Sequence, residues 1–168
     1  MKAALITIEI LKDNTILNEN LDDSILISGL QTAQDINLQT IIGEGLYNKL
    51  QDMVISGEID SNAKYKNLVI DYIQNFLKYQ TLSETVIPLT FKFKSKGIVT
   101  NSDNTSGVSP ISMKDAQTLV NYYQDRASFF GKRLSDFLNC NNFKEYRSGI
   151  LKPTKSIYNL GIPLNKRN

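Results

Sequence analysis

The chain has 168 residues, of which 41% are hydrophobic and 21% are charged, and its formal net charge is +2. This length is typical of one globular domain, and the composition excludes a disordered chain. So small a net charge gives no general electrostatic attraction to nucleic acid or membranes, and a role of that kind would need a local basic patch.

The residue types that are missing exclude several classes of enzyme. The sequence has no histidine, which removes the commonest general base and the commonest metal ligand. Cys140 is the only cysteine, so an internal disulfide and a cysteine-rich zinc site are excluded. No two carboxylates stand out as an acid and base pair. We therefore expect no enzymatic activity, no catalytic residue, no cofactor and no metal.

The N-terminal segment allows two interpretations. Apolar and other residues alternate over residues 4–11, which predicts a short strand, whereas Thr7 could cap a helical turn that runs to Lys12. Glu9 interrupts the apolar run, so we expect no export signal, and no stretch approaches the roughly 20 apolar residues of a membrane helix. We expect a soluble protein that is made in the cytosol and does not contact a membrane.

The sequence "LQTIIGEGLYNKL" places two glycines between two apolar runs. A dinucleotide-binding loop would need a third glycine after a strand, but Asn48 stands at that position and the flanking pattern is helical. We instead predict that Gly43 ends one helix in a left-handed conformation and that Gly45 lets the next helix begin at an angle. The predicted structural corner consists of Gly43, Gly45, Leu46 and Tyr47.

Helical spacing of apolar residues dominates the rest of the chain. Asp22 or Asp23 can cap a first long helical stretch, and a stripe over residues 65–77 predicts a helix that Pro88 must end. A capping box at residues 112–115 opens the last long helix. We interpret its apolar stripe as bundle core: Ala116, Leu119, Val120, Tyr123, Ala127, Phe130, Leu134, Phe137 and Leu138.

An unusually long insertion, about residues 90–111, separates the two long helices. Two phenylalanines alternate with lysines, and two β-branched residues follow a glycine, which predicts a β-hairpin with a Ser/Asn/Gly-rich tip. Connections in helical bundles normally take about 2 to 8 residues, so we interpret the insertion as an arm that contacts another chain. A surface loop and a nucleic-acid-binding strand are the alternatives. The predicted arm residues are Phe91, Phe93, Lys94, Ile98, Val99 and Val108.

The C-terminal sequence "GILKPTKSIYNLGIPLNKRN" is basic, has no acidic residue and is too apolar for a solvated end. Extended segments of this kind commonly add to an edge or groove of a partner. We therefore divide the chain into a helical domain of residues 1–149 and an extended docking tail of residues 150–168, with packing of the tail on its own domain as the alternative. The predicted docking residues are Lys152, Lys155, Ile157, Tyr158, Leu160, Ile162, Leu164 and Arg167.

Four short motifs carry a resemblance to a known family. They are, in order, "ALITIEILK", "NLD" at residues 20–22, "AQD" at residues 33–35 and "IIGEGLYNKL". With the layout of two shorter helices, two long helices and an insertion over about residues 4–147, they resemble the head-to-tail connector (adaptor) family of tailed bacteriophages. The Asn-, Ile- and Lys-rich style is similar to that of the ring proteins of crAss-like phages.

The predicted fold is mainly α, a bundle of about four helices with a small β-hairpin insertion and an extended C-terminal tail. The resemblance implies a structural virion protein at the head–tail junction and not an enzyme. Its copies would form a ring, expected to be a dodecamer, that lies between the capsid portal and the tail, extends the DNA channel and offers a platform for tail attachment.

The partners that the resemblance implies are further copies of the chain, the portal protein, and tail or further ring proteins. Genomic DNA would pass through the channel without sequence-specific contact. The arm would lie across a neighbouring copy, and the tail would dock on the portal. Another tail-completion adaptor and a small nucleic-acid-binding helical protein are the alternatives.

Overall fold

The computed structural model describes residues 3–15, 17, 21–94, 97–100 and 111–154, and this part of the chain is mainly helical, as predicted. Helix α5 lies at the centre of the bundle, where it packs along α6 and against α2. The elements are α1 (Ile8–Asp13), α2 (Asp23–Thr32), a first π-helical segment (Ala33–Leu38), α3 (Gln39–Ser56), a 3-10 turn (Glu58–Ser61), α4 (Ala63–Asn67), a second π-helical segment (Leu68–Ile73), α5 (Gln74–Thr90), β1 (Phe91–Lys94), β2 (Gly97–Thr100) and α6 (Met113–Cys140).

Polar side chains cap four of these helices, and at α4 the Asn62 side chain accepts from the backbone N–H of Tyr65 at 3.5 Å. The Thr7 hydroxyl accepts a hydrogen bond from the backbone N–H of Ile10 at the start of α1, so the helical interpretation of this segment is the correct one and the strand is wrong. Asp22 caps α2 by accepting from the N–H of Ser24. The predicted capping box is also confirmed, because the Ser112 hydroxyl accepts from the backbone N–H of Asp115 at 3.2 Å.

Pro88 lies inside α5 and does not end it, so the prediction of a helix end at this residue is wrong. A proline removes one N–H···O=C bond from a helix, but only two helical residues follow it here. This last turn is held by packing on other helices and by a side-chain hydrogen bond within α5. Val86 packs in a buried cluster, and the Thr90 hydroxyl donates to the Val86 carbonyl at 2.8 Å.

The aromatic stripes lie largely in the core, as predicted. The Tyr72 ring stacks on Phe137 with centroids 4.0 Å apart, and Tyr79 stacks on Phe130 at 5.3 Å. Burial of each large apolar side chain stabilises the fold by about 1.5–3 kcal/mol. A smaller second cluster joins the end of α5 to the start of α6, and its buried members are Leu82, Val86, Ala116, Val120 and Tyr123.

Three glutamine side chains bind the backbone of the N-terminal segment, as a neighbouring strand would do in a sheet. The side-chain carbonyl of Gln34 accepts from the Leu5 N–H at 2.9 Å, and its amide donates to the Ala3 carbonyl at 2.8 Å. The Gln51 amide donates to the same carbonyl at 2.9 Å, and the Gln74 amide donates to the Leu5 carbonyl at 3.2 Å. The backbone before α1 is therefore fixed to three separate helical segments.

The two strands are short and antiparallel. Phe91 lies opposite Thr100 and Lys94 opposite Gly97, so the chain reverses between Lys94 and Gly97, before the Ser/Asn/Gly-rich segment that was predicted as the tip. Residues 101–110 lie outside the described residues. The larger hairpin arm therefore remains a prediction.

The turn after α6 is fixed to α4. The Tyr65 hydroxyl donates to the Glu145 carboxylate at 2.8 Å, and the Tyr65 ring meets Phe143 edge-on with centroids 5.4 Å apart. The Lys64 ammonium donates to the Asn142 carbonyl at 2.6 Å. Burial, and then the bond to Glu145, raise the pKa of Tyr65 to about 12.

This contact predicts a pH-dependent effect of the substitution Tyr65→Phe. At pH 7 the variant should lose about 1–2 kcal/mol of unfolding free energy, because a hydrogen bond to a charged acceptor is removed. Between pH 10 and about 12 the unfolded tyrosine is ionised while the folded one keeps its proton, so the wild type loses stability as the pH rises. The variant lacks this loss, so the difference in unfolding free energy between the two proteins should become smaller as the pH rises.

Urea unfolding of both proteins at neutral pH and at several values above pH 10 measures this difference. The other tyrosines are common to both proteins, so their titration cancels in the difference. A difference that stays constant across this range would contradict the raised pKa of Tyr65.

Candidate functional site

The C-terminal segment of residues 145–154 packs on the corner at the start of α3, and we call these contacts the tail anchor. Two backbone hydrogen bonds join the parts: the Glu44 N–H donates to the Leu151 carbonyl at 2.9 Å, and the Thr154 N–H donates to the Thr40 carbonyl at 3.0 Å. The anchored segment is therefore held in place as far as Thr154.

The Glu44 side chain closes the tail anchor from the other side. Its carboxylate accepts from the backbone N–H of Ile150 at 2.8 Å and of Leu151 at 3.2 Å. Hydrogen bonds to an ionised acceptor are stronger than those between neutral groups. Gly149 has a φ of 87°, which lets the chain turn directly over Glu44. A single carboxylate thus fixes two successive amides of the segment.

The two glycines of the corner have different tasks. Gly43 has a φ of 76°, positive as predicted, but its ψ of 162° is extended and not that of a left-handed helical residue. Only glycine adopts this conformation at low cost. Gly45 lies within α3, and a Cβ there would meet the Ser148 hydroxyl oxygen at 1.9 Å and the Glu145 carbonyl oxygen at 2.7 Å. Gly45 therefore makes room for the segment, whereas the sequence analysis assigned it a change of helix direction.

The other two corner residues face the core. Leu46 and Tyr47 are buried, and the Tyr47 hydroxyl donates to the Asp35 carboxylate and accepts from the Gln34 amide at 3.3 Å. Burial and the bond to Asp35 raise the pKa of Tyr47. Gln34 also binds the N-terminal backbone. The motifs "ALITIEILK", "AQD" and "IIGEGLYNKL" therefore meet at the Gln34 side chain.

A cavity of about 640 Å³ lies between the end of α6 and the tail anchor. Its basic members are Arg147 and Lys152, and the Lys152 ammonium donates to the Arg147 carbonyl at 2.7 Å. The other residues that line it are Ser135, Asn139, Tyr146, Pro153 and Thr154. The cavity lies beside Thr154, the last residue of the anchored segment that the structure describes.

A line of large side chains, exposed except for the half-buried Arg126, runs along α6, and we call it the α6 face: Leu119, Tyr122, Arg126, Phe129 and Arg133. Phe129 is 59% exposed and Tyr122 is 47% exposed, and the Arg126 guanidinium carbon lies 3.4 Å from the centre of the Tyr122 ring. Leu119 is 38% exposed, so its prediction as a core residue is wrong.

The sequence analysis missed the α6 face. Its members recur at spacings of four and three, which places them on one side of the helix next to the buried stripe. The signal was a second line of aromatic residues and arginines at helical spacing. Such residues are enriched where proteins contact one another.

The predicted arm residues are only partly described. Phe91 is half-buried and packs against the second cluster, so the strands begin from a fixed point. Phe93 and Lys94 lie in β1, and Ile98 and Val99 lie in β2. Val108 lies outside the described residues.

The predicted docking residues lie at and beyond the tail anchor. Lys152 is exposed and belongs to the anchored segment. The others lie outside the described residues: Lys155, Ile157, Tyr158, Leu160, Ile162, Leu164 and Arg167.

No group of three or more Cys, Asp or Glu side chains in the described part of the chain could hold a metal ion. None of the helices described above is long and apolar enough to cross a membrane.

Comparison with protein families finds one match, to the model of a family of unknown function (DUF6712), over residues 38–150. The matched region begins just before the corner and ends within the segment that packs on it. Neither a comparison with curated proteins nor one with solved structures finds a match.

The tail anchor predicts a local effect of Gly45→Ala. The added methyl group cannot fit beside the Ser148 hydroxyl and the Glu145 carbonyl, so the segment must move away. Amide hydrogen exchange at Ile150 and Leu151 should accelerate, and the unfolding free energy should fall by about 1–3 kcal/mol.

Asn48→Ala, on the exposed side of the same helix one turn later, is the matched control and should change neither quantity. Unchanged exchange at Ile150 and Leu151 in the Gly45→Ala variant would contradict the tail anchor.

Proposed function

The chain belongs to the DUF6712 family, a family of unknown function, and we propose that it is a structural virion protein that forms a ring between the capsid portal and the tail. The ring extends the DNA channel and offers a platform for tail attachment. The observation that carries this proposal is the tail anchor, because it fixes the position of Thr154, after which the sequence continues as a basic, apolar segment.

The segment beyond the tail anchor is suited to bind a partner. Residues 155–168 carry three basic and no acidic residues among spaced apolar ones. In extended form, fourteen residues reach roughly 45 Å, more than the diameter of a small domain. Extended segments bind through backbone hydrogen bonds and alternate side chains, and a fixed starting point lowers the entropy that binding costs. The proposed partner of this segment is the portal.

The insertion supplies the proposed contact with a neighbouring copy. β1 and β2 continue directly from α5, and Phe91 at their start is packed into the second cluster. A hairpin arm over residues 90–111 therefore has a fixed base on its own bundle, and its outer part lies across the next subunit of the ring.

The proposed ring has no sequence-specific contact with DNA. A net charge of +2 is consistent with a protein that surrounds DNA and lets it pass. Strong nonspecific binding would instead require many phosphate contacts by lysine and arginine side chains. The partners in this proposal are further copies of the chain, the portal, and tail or further ring proteins.

Electron microscopy of the chain mixed with the portal from the same genome tests this function, with each component alone as reference. We expect an added ring of density beneath the portal, which also gives the copy number. A chain that ends at Thr154 keeps the tail anchor, so it should unfold at the same temperature as the full chain but should not bind the portal.

Absence of a ring with the full chain on an intact portal would contradict the proposal. Normal portal binding by the shortened chain would contradict the role of the tail alone. Affinity for DNA that falls steeply with salt concentration would favour the nucleic-acid-binding alternative.

A further inference from the structure

The centre of the α6 face has the chemistry of a binding surface. Phe129 is 59% exposed, and an arginine lies on each side of it along the helix, at residues 126 and 133. The two arginines are about 10 Å apart along the axis, since each residue advances the helix by about 1.5 Å. Arg126 is already stacked on Tyr122, so fixing it against a partner costs little side-chain entropy.

A second exposed group, at the end of α3, has the opposite charge, and we call it the α3 face: Asp52, Ile55 and Glu58. Ile55 is 67% exposed, and an exposed acidic residue comes before and after it in the chain. Asp52 and Ile55 lie in α3, whereas Glu58 begins the 3-10 turn that follows the left-handed Gly57.

We propose that the α3 face of one copy of this chain binds the α6 face of the next copy, with Ile55 against Phe129 and each acidic residue against one arginine. On each face an exposed apolar residue has one residue before it and one after it in the chain that carry the same charge, so acidic residues meet arginines in either relative orientation of the two faces. This inference rests on the proposed ring, and it names the surfaces that join neighbouring subunits.

A second copy of the chain is the partner that the two faces fit, because each face carries the complement of the other. A contact between two different surfaces is heterologous, so every copy uses both faces and the contact repeats around a closed ring. The charge pairs make wrong pairings costly, since α6 against α6 or α3 against α3 would bring like charges together. The apolar pair supplies contact area between the charges.

Paired charge reversal tests this contact in the chain and portal mixture. Arg126→Glu with Arg133→Glu places like charges at every subunit contact, and so does Asp52→Arg with Glu58→Arg. Either double variant alone should reduce the fraction of portals that carry a ring by at least about tenfold, because like charges cost more than 1.4 kcal/mol.

An equal mixture of the two double variants should restore the ring. In an alternating arrangement each contact again pairs acids with basic residues, although neither variant can form such a contact with itself. Lys114→Glu with Lys132→Glu is the matched control, because it makes the same charge change on another side of α6 and should leave the ring intact. Thermal unfolding of each variant separates loss of contact from loss of fold.

The outcomes distinguish this inference from the proposed function. The pairing of the faces is overturned if both double variants form the ring that the wild type forms. It is also overturned if every variant is folded and the mixture fails to restore the ring. Either outcome leaves the connector function standing. A wild-type chain that stays monomeric on the portal and, by sedimentation velocity, in concentrated solution would overturn both. Loss in each double variant and recovery in the mixture would support the pairing.

Discussion

At Gly43 the backbone turns through a conformation with φ 76° and ψ 162°, and the C-terminal segment packs directly on this residue. The N-terminal backbone binds Gln34, which also binds the hydroxyl of Tyr47, one helical turn after Gly43. The C-terminal segment is bound by Glu44. Any other residue at position 43 would strain the backbone, and its Cβ would lie 2.9 Å from Pro153. The corner therefore fixes both ends of the described chain.

The rest of the fold presents surfaces around this fixed corner. Helix α5 is central, so α6 lies on the outside with one side buried and one exposed. Two stacked pairs fix the orientation of α6 about its own axis: Tyr72 with Phe137 and Tyr79 with Phe130. Its aromatic and basic line is therefore directed away from the bundle, and α3 presents acidic residues around Ile55. A bundle with two exposed faces of opposite charge is suited to bind identical copies of itself in a repeating contact.

The residues that match the family model include those that form the corner and its contacts. The matched region contains the corner, the central helix, the insertion and the first residue of the C-terminal segment that Glu44 binds. The proposed connector function uses the same parts, with the corner fixing the start of the tail and the second cluster fixing the start of the arm.

The sequence by itself determined what depends on near neighbours in the chain. Apolar residues at spacings of three and four predicted the helical bundle, and polar caps such as Ser112 predicted where helices begin, because both act within one or two turns. The positive φ of Gly43 was predicted for the same reason. Local spacing was insufficient where tertiary contacts compete with it. Pro88 stays helical because its last turn is packed, and Leu119 is exposed because it lies just outside the buried stripe.

Only the tertiary structure decided which distant groups meet. Glu44 lies more than 100 residues before the amides that it binds. Position 45 has no room for a side chain, because Ser148 and Glu145 pack against it. Nothing in the spacing of either glycine distinguishes a corner from a close contact of this kind. The opposite charges of the α3 and α6 faces were present in the sequence, but their exposure follows from the packing of whole helices, which no local pattern specifies.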